Sequence, residues 1–484
     1  MSISSSLTNA LSGLTAATRA AEVVSSNISN AMTEGYGKRE VRLSSNVLDG
    51  RGSGVRIDGV TRHSDPVLLG SRRGSEAALA RSSVSAQFLT DIEAAIGLPG
   101  QPGALTERIT QFEAALIEAS SRPDSPARLQ AAVQAASGLA EQLNRISDTV
   151  QAERLRADQA IARSVDQLNT ALDQVQDLNA RIAQFQGSAQ DASSLIDQRQ
   201  QVIDGIAELV PLREVPRQNG MVALFTPGGA VLLDGSAAEI GFSPVNAITP
   251  DMTLGSGALS GLTVNGTPIS VDPDSGPLAG GRLAGLFAVR DVAAPEIQAQ
   301  ADAVARDLID RFADPAVDPS LTAGDPGLFT DAGAALVVAD ELGLAGRIEI
   351  NALVDPGAGG GHWRLRDGLG AAAPGDAGNA TLLNALSDAL TAERVPASGG
   401  FAVARSAIGL SGDFLSGVSV QAQDAAARES FDRAQTETLQ AAELQAGVDT
   451  DDELQKLLVI ERAFAANARV ISTVDEMIQT LLGL

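Results

Sequence analysis

The chain has 484 residues, which predicts about three domains and ample length for a buried core. Apolar residues make up 44% of the chain but aromatic residues only 3%, so we expect a core of aliphatic side chains and closely packed, alanine-rich helices. The formal net charge of −25 opposes binding to nucleic acid and to anionic lipid, and we expect neither as a partner.

Two residue types are used unusually. Cysteine is absent, which excludes disulfides, thiolate metal sites and cysteine nucleophiles. Of the 35 basic residues only Lys38 and Lys456 are lysines, a bias that we attribute mainly to genome composition.

We expect neither a targeting signal nor a membrane span in this chain. The amino-terminal segment has no basic n-region, no continuous apolar h-region and no cleavage site, so we expect no standard secretory signal. No run of about 18 uninterrupted apolar residues occurs, and we therefore expect no membrane insertion.

The amino-terminal residues place apolar and small side chains at alternating spacings of four and three. This pattern is typical of a coiled-coil helix with one apolar seam. The predicted seam consists of Ile3, Leu7, Ala10, Leu14, Ala17, Ala21, Val24 and Ile28.

The carboxyl-terminal residues repeat the design, with one polar member. We expect this helix to begin with a capping box formed by Thr450 and Glu453. The predicted seam consists of Leu457, Ile460, Phe464, Asn467, Ile471, Val474, Ile478 and Leu481.

Two uses of these terminal seams are compatible with the pattern. The position of both helices at the ends of the chain and their small-residue faces favour association between subunits. The alternative is that both helices pack within one chain, and the spacing alone leaves it open.

Residues 75–210 have the periodicity of long helices. One stripe runs from Leu139 to Val150 and another from Ile161 to Ile182, which predicts two antiparallel rods, and a third helix is expected over residues 192–209. From 211 to 285 short apolar runs alternate with turn residues such as Asn265-Gly266, which predicts an inserted β domain. Helical periodicity returns over residues 295–312, 382–390 and 421–444.

We find no pattern that indicates catalysis or metal binding. His63 and His362 lie far apart without cysteine companions, so neither a zinc site nor a catalytic triad is predicted. The glycines before His362 lack the lysine of a phosphate-binding loop. The acidic cluster at 449–453 lacks the spacing of a calcium loop. We therefore predict no catalytic residue, no cofactor, no metal and no enzyme activity.

The end of the amino-terminal helix carries a signature of a known family. The segment SSNISNAMTEGYGKREV, residues 25–41, resembles a motif shared by the flagellar rod, hook and hook-associated proteins. Ser29 and Glu34 depart mildly from the usual residues. The matching residues, which we predict to belong to the assembly interface with both seams, are Asn27, Asn30, Thr33, Gly35 and Tyr36.

The other end and the middle extend the resemblance. AFAANARV, residues 463–470, resembles the shared carboxyl-terminal region of the same family. The long helical section resembles the hook-associated members, whereas hook and rod proteins lack it. A hook or distal rod protein is the alternative within the family, and a secreted adhesin or enzyme with its activity in the 211–285 insert is the alternative outside it.

The resemblance implies a multidomain α+β protein with an elongated helical rod domain, terminal coiled-coil helices and an inserted mainly-β domain. Residues 1–35 and 446–484 would form the inner assembly domain, and 36–210, 286–346 and 380–445 the helical rod. Residues 211–285 would form the β insert, and residues 347–379 an irregular or β-rich segment.

The family also implies a function, a location and partners. We expect a structural subunit of the hook–filament junction, secreted to the extracellular flagellum by the type III export apparatus with an export chaperone. Its expected partners are further copies of itself, the hook protein and the next hook-associated protein.

Overall fold

The computed structural model describes residues 3–33, 35–48, 51–188 and 190–483, and most of these residues lie in helices. Met1, Ser2, Glu34 and Leu484, which belong to the predicted terminal segments, lie outside the described residues. The helices are α1 (Ile3–Ser29), α2 (Pro66–Ile96), α3 (Leu105–Ser121), α4 (Pro126–Gly187), α5 (Ser193–Leu209), α6 (Gly281–Ala288), α7 (Ala294–Phe312), α8 (Arg364–Asp367), α9 (Thr381–Thr391), α10 (Ala407–Ala446) and α11 (Thr450–Leu482).

The strands form small antiparallel sheets between the helices. Two sheets, with orders β3-β4-β5-β6 and β7-β8-β9, lie in the predicted insert, and two hairpins, β1-β2 and β10-β11, lie outside it. The strands are β1 (Lys38–Leu48), β2 (Arg51–His63), β3 (Arg213–Pro216), β4 (Val222–Phe225), β5 (Val231–Asp234), β6 (Ser236–Ala237), β7 (Ile240–Gly241), β8 (Leu262–Val264), β9 (Thr267–Ile269), β10 (Phe329–Asp331) and β11 (Ile348–Ile350).

This architecture confirms the predicted fold class of terminal helices, a helical rod and a mainly-β insert. The Asn265-Gly266 pair forms the predicted hairpin turn between β8 and β9. Both residues have positive φ, 50° and 76°, which suits the right-handed twist of the paired strands. Within the described residues, no helix combines the length and the hydropathy needed to cross a membrane.

The predicted pair of antiparallel rods is wrong, because α4 is one continuous helix of 62 residues. At 1.5 Å per residue it is about 90 Å long. The two predicted stripes lie on the same helix and are joined by buried polar residues, Arg154 and Asp158. Arg154 donates to the carbonyl oxygens of Arg290 and Met252, at 3.0 and 2.6 Å. The stripe therefore continues through charged residues whose partners come from elsewhere in the fold.

The insert is fastened to α4 by a fully buried ion pair. The guanidinium of Arg290, in a π-helical turn between α6 and α7, lies 2.6 Å from Oδ1 of Asp158 and 2.9 Å from the carbonyl oxygen of Ser260. Oδ2 of Asp158 accepts a hydrogen bond from the backbone N–H of Val245, at 2.8 Å. The pair therefore holds two loops of the insert against the rod.

Candidate assembly interface

The two terminal helices pack on each other within one chain. The face that α1 buries consists of Ala10, Ala16, Ala17, Val23, Val24 and Asn27. Asn467, the polar member of the carboxyl-terminal seam, lies against Gly13, where an added Cβ would be only 2.8 Å from the Asn467 side-chain amide. The alternative of packing within one chain therefore accounts for part of both seams.

The predicted seam residues are covered to different extents. Ala10, Ala17, Val24 and Val474 are buried, whereas Phe464 and Leu481 are exposed. The remaining members are half-buried: Ile3, Leu7, Leu14, Ala21, Ile28, Leu457, Ile460, Asn467, Ile471 and Ile478. The assembly role of these residues stays a prediction, since a single chain presents only its own contacts.

A second apolar row runs along α11 and has no cover in the single chain. Its members, which we call the outer row, are spaced by four and three residues like the predicted seam. Three large members are strongly exposed, Val459 by 65%, Val470 by 44% and Met477 by 49%. The outer row is Val459, Ala463, Ala466, Val470, Thr473 and Met477. A helix with two such rows is suited to contact two partners.

An open groove adjoins the start of the outer row. It lies between α1, β1 and α11, has a volume of about 420 Å³ and includes Val23, Val41 and Val459 among its apolar walls. Charged side chains, among them Glu40 and Lys456, stand at its rim. The groove and the outer row meet at Val459, which belongs to both.

The residues of the family signature form a network of hydrogen bonds at the end of α1. The amide of Asn27 pairs with the backbone of Arg39, donating from Nδ2 to the carbonyl oxygen at 2.8 Å and accepting from the N–H at 3.0 Å. The Tyr36 hydroxyl donates to Oδ1 of Asn27 at 2.9 Å. Asn30 donates to the carbonyl oxygen of Ser26 at 2.9 Å. The signature thus ends the helix and fixes the start of β1.

The backbone geometry of this network requires glycine at position 35. Its φ of 76° is a conformation that side-chain-bearing residues rarely adopt, and an added Cβ would lie 2.8 Å from Cγ of Gln201. Thr33 donates to Oδ1 of Asn30 at 3.3 Å, so the five signature residues share one local structure.

Asp197 of α5 holds the hairpin on the rod, and the sequence analysis did not identify it. Its carboxylate accepts hydrogen bonds from Arg39 and Arg62, both at 2.6 Å, and from the backbone N–H of Gly37 at 3.1 Å. The acceptor is on α5 and the donors are on the hairpin, so no sequence spacing connects them. This contact ties the terminal helices to the rod.

We expect Asp197→Asn to loosen the hairpin without unfolding the rod. Losing the charge on one acceptor of two guanidinium groups should cost about 2 kcal/mol, which corresponds to roughly thirtyfold faster local opening. Hydrogen exchange of residues 38–63 measures this directly. Glu208→Gln, an exposed change on the same helix, is the control, and equal exchange in the two variants would contradict the role of Asp197.

The predicted capping box at the start of α11 is wrong. The helix is capped by Asp449, whose carboxylate accepts from the backbone N–H groups of Asp451 and Asp452, at 2.9 and 3.2 Å. Glu453 turns instead towards α1, where its side chain is only 1% exposed and accepts from Nδ2 of Asn27 at 2.8 Å. At the acidic start of α11, Asp449 thus caps the helix, whereas Glu453 contacts α1.

The electrostatic surroundings of Glu453 favour its charged form. Burial by itself would raise the pKa of this carboxyl, but hydrogen bonds from Asn27 and Lys456 and the charges of Lys456 and Lys38 outweigh it and hold the pKa below its ordinary value. Lys456 correspondingly has a raised pKa, chiefly through its hydrogen bond to Glu453. Within the described residues, no group of three or more His, Asp or Glu side chains is placed to hold a metal ion.

Three family models match the chain in the order of its elements. The model "Flagella basal body rod protein" matches residues 7–36, and "Flagellar basal body rod FlgEFG protein C-terminal" matches residues 439–484. The model "Flagellar hook-associated protein FlgK helical domain" matches residues 89–315. The first two matches cover most of α1 with the signature, and α11; the third covers about half of the predicted rod and all of the insert.

Individual proteins show the same relationship. Flagellar hook-associated protein 1 of Salmonella typhimurium is 28% identical over 49% of this chain and 44% of its own length, so the matched part spans less than half of that relative. The Bacillus subtilis protein of that name is 22% identical over 99% of this chain and 97% of its own length. A solved structure of the flagellar hook junction protein FlgK from Burkholderia pseudomallei aligns with 55% of this chain and 47% of that chain at 21% identity and a TM-score of 0.43.

The two end matches define the class, that of the flagellar rod and basal-body proteins. The helical-domain match and the full-length relative make the chain similar over its whole length to flagellar hook-associated protein 1.

Proposed function

We propose that this chain is a structural subunit of the flagellar hook–filament junction and that it has no catalytic role. The observation that carries the proposal is the match of the hook-associated helical domain to residues 89–315 between two axial-protein ends. The same match favours this function over that of a hook or distal rod protein.

Self-association would use the terminal helices. The α1–α11 pair forms within each subunit, and the outer row of α11 with the adjoining groove would then receive a neighbouring subunit. Burying the large members of the row contributes about 1.5–3 kcal/mol each before ordering costs are subtracted. Such a gain supports a tube in which each copy contacts several others.

The predicted division of the chain follows the same scheme. Residues 1–35 and 446–484 would form the inner layer, the rod segments the middle, and the insert of residues 211–285 the outer surface. The proposed partners are further copies, the hook protein, the next hook-associated protein, and the type III export apparatus with its chaperone. The proposed location is the extracellular flagellum.

Deleting the protein from the bacterium that makes it tests this function. We expect cells that retain hooks but have no attached filaments, because the hook would lack the junction to which the filament attaches. The full chain should restore filaments, and a chain ending at residue 449 should not. Normal filaments in the deletion strain would refute the proposal, and loss of the hook as well would indicate a rod or hook protein instead.

A further inference from the structure

α11 is held to the rest of the chain by very few buried side chains. Of its 33 residues only Glu453 and Val474 are buried. Glu453 is the more deeply buried, at 1% exposure against 5% for Val474. The first turn of the helix is therefore anchored by a charge rather than by an apolar side chain.

The cations around this charge are the only two lysines of the chain. Lys38 of β1 and Lys456 of α11 both point their ammonium groups at Oε1 of Glu453, at 3.6 and 2.9 Å. The other oxygen, Oε2, accepts from Asn27 of α1. Three elements, α1, β1 and α11, thus converge on one carboxylate.

The chemistry of lysine suits this arrangement. An ammonium is a compact point charge with three donors on a flexible stem, so two of them can share one oxygen. The planar guanidinium of arginine, which supplies every other basic side chain here, is shaped to bind both oxygens of a carboxylate at once. The second oxygen at this site is already taken by Asn27.

A buried carboxylate of this kind contributes more to fixing the position of the helix than to the stability of the fold. Its desolvation offsets much of the attraction to its partners, whereas the loss of one partner leaves a buried charge uncompensated. A shift of α11 by one residue would turn it by about 100° and carry Glu453 away from Lys38 and Asn27, whereas Lys456, on the same helix, would move with it. The cluster is therefore selective for one register of α11.

We infer that Lys38, Glu453 and Lys456 form an electrostatic latch that docks the first turn of α11 on α1 and β1 in a single register. The latch makes these residues positioning residues for the outer row, whose direction follows from that register. This second consequence rests on the proposed function, whereas the latch itself does not.

Amine acylation of the purified full-length protein tests the latch, because the two lysines carry its only side-chain amines. The variant is Glu453→Gln, and the matched control is Glu461→Gln, an exposed change two turns further along α11. The reagent is an acetylating N-hydroxysuccinimide ester, and peptide mass analysis measures the modification of each lysine. Lys456 should react faster in Glu453→Gln than in the unaltered protein, by about threefold or more. Loss of the carboxylate lowers the pKa of the Lys456 amine, and one pKa unit changes its neutral fraction tenfold. Lys38 should also react faster, and the control should match the unaltered protein.

Acid provides a second, independent readout. Because the folded-state pKa of Glu453 is lowered from its ordinary 4.5, the latch is complete above that pH and is lost as the pH falls through the lower value. Glu40 and Asp452 also face Lys456 and are present in every variant, so Glu453→Gln sets the baseline. Pepsin cleavage within residues 450–482, expressed relative to that of Glu453→Gln at each pH, should be low above about pH 4.5 and rise towards the level of Glu453→Gln at lower pH, both in the unaltered protein and in Glu461→Gln.

The outcomes separate the latch from the function. Equal acylation of both lysines in the variant and the control, or equal pepsin profiles, would overturn the latch and leave the junction function standing. A positive latch in a protein whose deletion leaves filaments normal would overturn the function alone.

Discussion

Changing Val470 and Met477 of the outer row to aspartate together should abolish incorporation of the protein into flagella while leaving the isolated subunit folded. Both side chains are exposed in the single chain, so the changes cost the subunit little. In an assembled wall they would place two charges in an apolar contact, and each would also remove about 1.5–3 kcal/mol of burial. The expected loss of association is at least hundredfold, or about 2.8 kcal/mol.

Immunoblots of sheared flagella from complemented cells measure incorporation, and circular dichroism of the purified variant checks its fold. The control is Ser472→Asp together with Gln479→Glu, which adds the same two charges to exposed positions on another face of α11. Normal incorporation of the double variant would show that the outer row is not a subunit contact. Equal loss in the control would point to a general effect of charge on α11.

The second large effect is expected at the buried pair of Asp158 and Arg290. Asp158→Ala leaves the guanidinium of Arg290 buried without its carboxylate and removes the acceptor of the Val245 N–H. Breaking one partner of such a pair should lower the free energy of unfolding by about 3–5 kcal/mol. Urea unfolding followed by circular dichroism measures this change.

Asp291→Ala is the matched control, because Asp291 also contacts Arg290 but is partly exposed. We expect its effect to be about 1 kcal/mol, as for a partly solvated ion pair. Replacing Asp158 and Arg290 together with leucine should cost less than Asp158→Ala, since neither charge of the fully buried pair remains. Equal destabilisation by both single changes would contradict the account of this pair.

The sequence predicts best the features that depend on local spacing. The alternating spacing of four and three residues predicts both terminal helices, and the Asn265-Gly266 pair predicts the hairpin of β8 and β9. The outer row has the same spacing, so its signal was present, but only one seam of α11 was recognised because its apolar residues are larger. The exposure of the outer row depends on which residues of α11 are covered by α1, and the spacing does not predict this.

Features that depend on partners distant in sequence were not predictable in this way. Arg154 and Asp158 interrupt an apolar stripe, and only the groups that they meet on other elements allow α4 to continue. Asp197 and Glu453 look like ordinary surface acids of helices until the hairpin brings two arginines to Asp197 and Lys38 to Glu453. The β1–β2 hairpin carries an alternating pattern, but its apolar residues Leu43 and Val47 remain exposed, so burial does not reinforce the signal.

Immunogold labelling of intact flagella locates the protein in the assembled organelle. Antibodies raised against residues 211–285, which the account places on the outer surface, should mark one narrow band between hook and filament, and the band should disappear in the deletion strain. Label along the whole filament, along the hook, or only at the cell body would contradict a structural role at the junction.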